Sequence, residues 1–122
     1  MNEYFNVIPT PKHCEFQQGT PLVIHKVCCR VQMSKLMENA LRLLDRESQY
    51  QFSDVESADL IISDKPEDFF EESEIAFFGE KYAYEQGYIL KKEIGEPMVI
   101  SAHTSIGCAY GIMTLLQLIG KD

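Results

Sequence analysis

Apolar and polar residues follow two periods along this chain, and each change of period marks an element. Between Ser34 and Ser48, Leu36, Met37, Ala40, Leu41, Leu43 and Leu44 recur at threes and fours. That spacing lines one face of a helix and leaves Lys35, Glu38, Asn39, Arg42 and Arg46 on the wet side. Between Ser105 and Gly120 the same period returns in Ile106, Ala109, Tyr110, Met113, Leu116 and Ile119. It predicts a closing helix that Thr104 or Ser105 caps and Gly120 ends. Short apolar runs read as strands. Ala58 to Ser63, bounded by Ser57 and by Asp64-Lys65-Pro66, suits a central strand. Tyr88 to Ile94 and Pro97 to Ala102 flank Gly95-Glu96, a two-residue hairpin signal. Cys14 to Gln17 and Leu22 to His25 flank Gln18-Gly19-Thr20-Pro21 and predict a second hairpin. Pro9 and Pro11 hold Val7 to Lys12 extended, at a sheet edge or along the surface. A further short strand fits around Glu74 to Phe78.

The resulting order is β-β-α-β-β-β-α, an α+β domain. The strand–helix–strand passage predicts a parallel pair and the hairpins predict antiparallel ones, so the sheet is mixed. The closing helix carries a puzzle. Gly107 and Gly111 each cost about 1 kcal/mol of helix propensity relative to alanine, and a shared stripe predicts close approach by another backbone. A G-x-x-x-G can also pair membrane helices. A span needs roughly 20 apolar residues, and Ser105, Thr114 and Gln117 interrupt this one. Packing of helix on sheet is the better reading.

Composition narrows the function classes. The 122 residues fit one domain, with 45% hydrophobic and 25% charged residues. A net charge of −8 opposes nucleic-acid phosphate and anionic lipid, so neither is expected as a partner. The opening Met1-Asn-Glu-Tyr-Phe-Asn-Val lacks the basic and apolar regions of a signal peptide. Cys14, Cys28, Cys29 and Cys108 show no C-x-x-C or framework spacing, which points to free thiols and a reducing, cytoplasmic setting. Ten of the 19 acidic residues lie from Asp54 to Glu80 with Lys65 as the single base there. They lack EF-hand spacing and read as a solvated loop or short helix. Phe69, Phe70, Phe77, Phe78, Tyr82, Tyr84 and Tyr88 lie near them. Such rings can stack on sugars, although core packing and loop anchoring are the commoner use.

Catalytic chemistry is scarce. His13, His25 and His103 have no metal-ligand spacing, and no H-E-x-x-H, G-x-S-x-G or phosphate-binding glycine loop occurs. His13 and Cys14 are neighbours, but successive strand residues face opposite ways and make no dyad. No catalytic residue, cofactor site or metal site is expected within the chain.

Ile8-Pro9-Thr10-Pro11-Lys12 with Glu15-Phe16, then Glu85-Gln86-Gly87-Tyr88-Ile89-Leu90, then Met98 to Ala102, and finally Gly107-x-x-Tyr110-Gly111-x-x-Thr114-Leu115-x-Gln117-Leu118, form an ordered series across the chain. Together they resemble the N-terminal accessory domain of β-N-acetylhexosaminidases of glycoside hydrolase family 20. The resemblance implies a zincin-like α+β fold without zinc, in which two helices pack on a mainly antiparallel sheet. It also implies that catalysis belongs to a following (β/α)₈ barrel, where an Asp-Glu pair works with the substrate's acetamido group. No aspartate here is followed by glutamate, and a barrel needs some 250 residues. Residues 1–122 are thus expected to be a single non-catalytic domain. Its partner would be the barrel of the same parent, and glycan would be met through that parent. Ile112, Leu115 and Leu118 on the closing helix are the expected interdomain contacts. Related accessory domains precede O-GlcNAcase-like and α-glucuronidase-like barrels, and a carbohydrate-binding module is the alternative.

Overall fold

The helix expected after Ser34 is α1 (Lys35–Ser48). Ser34 itself stays extended (φ −135°, ψ 168°), and its hydroxyl accepts from the Met37 amide at 3.2 Å. That bond satisfies one of the free N–H groups of the first turn. The helix ends at Gln49, a left-handed residue (φ 53°, ψ 50°) whose N–H donates to the Asp45 carbonyl at 2.8 Å. Met37, Ala40, Leu41 and Leu44 are buried and Leu36 is half-buried, as the spacing predicts. Leu43 departs from the pattern with 36% exposure, because it lies on the flank of the buried stripe.

The computed structural model describes residues 12–16, 24–79, 81–92 and 95–119. Its six strands are β1 (Lys12–Phe16), β2 (Lys26–Arg30), β3 (Gln51–Phe52), β4 (Leu60–Ser63), β5 (Tyr88–Lys92) and β6 (Met98–Ser101). They form one sheet in the order β1-β5-β6-β4-β2-β3. The α+β class and the mixed sheet agree with the expectation from sequence. The balance of strand senses does not, since β5–β6 is the one antiparallel pair described and β1–β5, β2–β3, β2–β4 and β4–β6 are parallel. The physical reason is that α1 carries the chain back to the end where β2 began, so β3 and β4 enter in the same sense as β2.

The predicted hairpin between Cys14 and His25 is also corrected. β1 is an edge strand bonded to β5, and β5, β6 and β4 separate it from β2. The second strand begins at Lys26; Leu22, Val23 and the proposed turn residues lie outside the described residues, as does Val7 to Pro11. The other hairpin forms as expected, with Gly95 at φ 84° supplying the conformation that a side chain disfavours. Ala58 to Ser63 contributes the central β4, all of whose residues are buried.

Asp64 to Gln86 holds helices rather than a strand at Glu74 to Phe78. Single 3₁₀ turns at Pro66–Asp68 and Ala76–Gly79 accompany α2 (Glu72–Ile75) and α3 (Lys81–Gln86). The Glu71 amide donates to the Glu74 side chain at 3.1 Å, while the Glu74 amide donates to the Glu71 carbonyl at 2.9 Å. These bonds start a helix where period alone suggested extended chain.

The closing helix is α4 (Ser105–Ile119), and Thr104 is its cap. The Thr104 hydroxyl accepts from the Gly107 amide at 3.0 Å and donates to the Glu85 carbonyl at 2.6 Å. Both long helices cover one face of the sheet. There Met37, Leu44, Ile112 and Leu115 meet Val27, Leu60, Ile62, Tyr88, Leu90, Met98 and Ile100 in one core. The other face carries a smaller cluster of Phe70, Phe78 and Ile89 under the short helices. α1 and α4 start at the same end of the sheet, where the Ser105 hydroxyl donates to that of Ser34 at 3.0 Å.

Candidate functional site

The acidic segment proves to be a set of loop fasteners. One Asp59 oxygen accepts from the His25 and Lys26 amides, both at 3.0 Å, and pins the entry to β2. Asp64 accepts from the Gln32 amide and Asp54 from the Ser57 amide, each at 3.0 Å. Glu74 takes the Lys91 ammonium at 2.6 Å and ties α2 to the sheet. Among the described residues, no group of three or more His, Cys, Asp or Glu is arranged to hold a metal ion.

Nucleophiles and bases are equally dispersed. His25 precedes β2 and His103 follows β6; these strands run in the same sense, so the two histidines lie at opposite ends of the sheet. The side chains of His13 and Cys14 lie outside the described ones. Cys108 is buried with its Sγ donating to the Ser63 carbonyl at 3.2 Å. Burial pushes its thiol well above the ordinary range, with the Asp64 charge adding to the effect. Cys29 shifts upward too, again chiefly through burial. Both shifts oppose a thiolate.

Among the described side chains, the aromatic group does not assemble into a sugar platform. Phe70, Phe78 and Tyr88 are buried and Phe69 packs against the smaller cluster, while the side chains of Phe77 and Tyr82 lie outside the described ones. Tyr84 is exposed but stacks on His103, with centroids 4.5 Å apart, and Phe78 meets the same imidazole edge-on at 4.8 Å. Phe52, 65% exposed, stands on the β3 edge beside Tyr50. There a groove of about 660 Å³ runs between α1 and β3. Its acids, Glu38 and Asp45, are exposed on α1, and burial holds the Tyr50 hydroxyl above its usual range.

α4 is different in kind from α1. α1 is apolar on one side, whereas the hydrophobicity of α4 is high and varies little around its circumference. The sheet side of α4 holds Gly107, Cys108, Gly111, Ile112 and Leu115, all buried, and Ala109, on the stripe with Ile106 and Tyr110, is buried as well. A Cβ on Gly107 would sit 2.3 Å from the Gly87 carbonyl oxygen, and one on Gly111 would sit 2.4 Å from Ile100 Cγ2. The glycines therefore admit the sheet, as predicted: a neighbouring backbone at Gly107 and a side chain at Gly111. On the same side the Tyr88 and Thr114 hydroxyls bond each other inside the core. The opposite line of the helix is apolar as well. Ile106 is 42% exposed there, while Tyr110 and Met113 are half-buried and pack in part against the same core. No helix among the described residues is long and apolar enough to cross a membrane.

A family profile for glycosyl hydrolase family 20, domain 2, matches residues 4–122. The chain belongs to that family. No curated protein and no solved structure matches it. Family 20 domain 2 is the N-terminal accessory domain of hexosaminidases, which implies a multidomain glycoside hydrolase parent with a separate catalytic domain.

The family 20 domain places the expected interdomain residues mainly inside itself. Ile112 and Leu115 have no exposed surface, and Leu118 is half-buried against the same core. Of the sequence stripe Ile106, Ala109, Tyr110, Met113, Leu116 and Ile119, Ala109 is buried, Tyr110, Met113 and Leu116 are half-buried against the core, Ile106 is exposed, and the side chain of Ile119 lies outside the described ones. Period identifies sets of residues that share a face but not which face meets the sheet; here the two glycines decide it. Sequence reasoning also missed the Tyr88–Thr114 bond, which joins residues 26 positions apart.

Proposed function

We propose that this chain is the non-catalytic N-terminal domain of a β-N-acetylhexosaminidase. In this reading it packs against a following (β/α)₈ barrel that removes terminal N-acetylhexosamine residues. The observation that supports it is the all-round apolar surface of α4. A helix of this kind belongs between two layers, and its own sheet supplies one. The barrel is the second layer, and the contact runs along Ile106, Tyr110 and Met113. Family membership makes a catalytic domain available in the same parent. The scattered histidines and inert thiols leave the chemistry to that domain.

The test uses Ile106→Arg in the parent polypeptide. A guanidinium forced into an apolar contact costs about 2 kcal/mol or more, so the melting temperature should fall and amide exchange in the barrel should quicken. The isolated chain should keep its stability, since Ile106 is exposed in it. A full-length structure with Ile106, Tyr110 and Met113 all open to solvent would refute the contact. Cleavage of a chromogenic N-acetylglucosaminide by residues 1–122 alone would refute the non-catalytic role.

A further inference from the structure

The groove of about 660 Å³ between α1 and β3 has the size of a small-molecule site. Tyr50 and Phe52 line one side of it, with ring centroids 5.2 Å apart and planes at 80°. They stand apart from the aromatic group between Phe69 and Tyr88 and are placed by β3, the edge strand next to β2. Phe52 is the most exposed large apolar side chain among the described residues. A single exposed ring is ordinary; one that faces unpaired polar groups across a groove is not. The facing side is the wet side of α1, where Glu38, Arg42 and Asp45 recur at helical spacing. Among the described residues the side chains of Glu38, Asp45 and Gln51 have no hydrogen-bond or ionic partner. Arg42 uses one N–H on the Asn39 oxygen, at 3.3 Å, and keeps the rest of its fork.

We propose that this groove binds a neutral saccharide, with one sugar ring lying on Phe52 and its hydroxyls held by Glu38, Arg42, Asp45 and Gln51. The two sides of the groove match the two sides of a sugar. A pyranose ring has an apolar face of C–H groups and a rim of hydroxyls, so it calls for a flat ring beneath it and mixed donors and acceptors around it. Carboxylates accept from hydroxyls, a guanidinium donates to them, and the Gln51 amide does both. Two acids against one base, in a chain of net charge −8, select against acidic sugars and other anions. α4 lies over β5 and β6, and α1 separates it from β3, so the groove is distinct from the contact proposed along α4. In a glycoside hydrolase parent such a groove holds a glycan chain without touching the bond that is cut, and raises the local concentration of substrate.

The test titrates N-acetylglucosamine tetramer, cellotetraose and tetragalacturonate, each to millimolar concentration, into the 122-residue chain and follows backbone amide shifts. At least one neutral tetramer should shift the Gln51 and Phe52 amides, and tetragalacturonate should bind more weakly than it does. Phe52→Ala should weaken binding about tenfold, and Asp45→Ala about threefold. Both side chains are exposed, so the melting temperature should hardly move. Tyr84→Ala, which removes the other exposed ring, should leave binding unchanged. Absence of shifts at Gln51 and Phe52 with both neutral tetramers would overturn the proposal, and so would shifts that survive Phe52→Ala. Tighter binding of tetragalacturonate would overturn the choice of a neutral ligand. A lysine–valine hexapeptide that shifts these amides where the sugars do not would assign the groove to a peptide strand at the β3 edge instead. None of these readouts involves α4. Failure here leaves the Ile106 contact standing, and a parent unaffected by Ile106→Arg leaves the groove standing.

Discussion

Ser34 does two jobs with one hydroxyl. Its oxygen accepts from the Met37 amide, which starts α1, and from the Ser105 hydroxyl, which sets α4 beside α1. Ser34→Ala should therefore cost about 1–2 kcal/mol in denaturant unfolding. Ser105→Ala removes one bond and leaves the Thr104 cap in place, so it should cost less than half as much. Equal costs would show that the serine pair, not the cap, carries the effect. Cys108 makes the matching point about reactivity. Burial raises its thiol, so the thiolate fraction at neutral pH is far below that of a free cysteine. Mass-spectrometric mapping after alkylation at pH 7.5 should find Cys108 unmodified until denaturant is added. The identity of both residues was legible in the sequence, but their partners were not. Ser34 and Ser105 are 71 positions apart, and no local rule links them.

Helices announced themselves through period, caps and glycines, and strands through short apolar runs. The orientation of α4 did not, because a helix apolar all round has no single preferred side. Gly107 and Gly111 resolve the ambiguity, and their substitutions should differ. At Gly107 an added methyl meets the Gly87 carbonyl and the Ala102 Cβ, 2.3 and 2.6 Å away, and neither belongs to a side chain that can swing aside. At Gly111 the nearest atom, 2.4 Å away, is Ile100 Cγ2, a methyl on the branched Cβ of a fully buried side chain, which gives way only by repacking the core around it. Alanine returns about 1 kcal/mol of helix propensity at either site. Both substitutions should still lose about 1–3 kcal/mol net, Gly107→Ala the more because it meets backbone and pushes the helix off the sheet. A larger loss at Gly111 would contradict the packing described. The short helices of Glu72 to Gln86 escaped prediction for another reason. A four-residue helix such as α2 has too few turns to show a period, and the Glu71–Glu74 bonds that begin it are visible only in three dimensions.

At the scale of the molecule, the sheet is two blocks of parallel strands joined at one antiparallel seam, β5–β6. Strand β1 closes one edge by pairing with β5 rather than with the strand that follows it in sequence. Removal of residues 1–16 should expose the β5 edge, and unpaired edges associate. Gel filtration of the shortened chain should show concentration-dependent self-association, with a lower melting temperature than the intact chain. A shortened chain that stays monomeric with unchanged stability would exclude β1–β5 pairing. The net charge of −8 on the intact chain opposes association at any exposed edge. The sequence by itself determined the α+β class, the two long helices, the β5–β6 hairpin and the likeness to family 20, because these rest on local period, turn chemistry and ordered motifs. Only the tertiary structure decided which strands are neighbours, that Ile112 and Leu115 belong to the core, and that Phe52 shares a groove with Glu38 and Asp45. Those outcomes depend on contacts between distant residues, where a small overlap at Gly107 or a bond at Ser34 selects among arrangements that local preference leaves nearly equal.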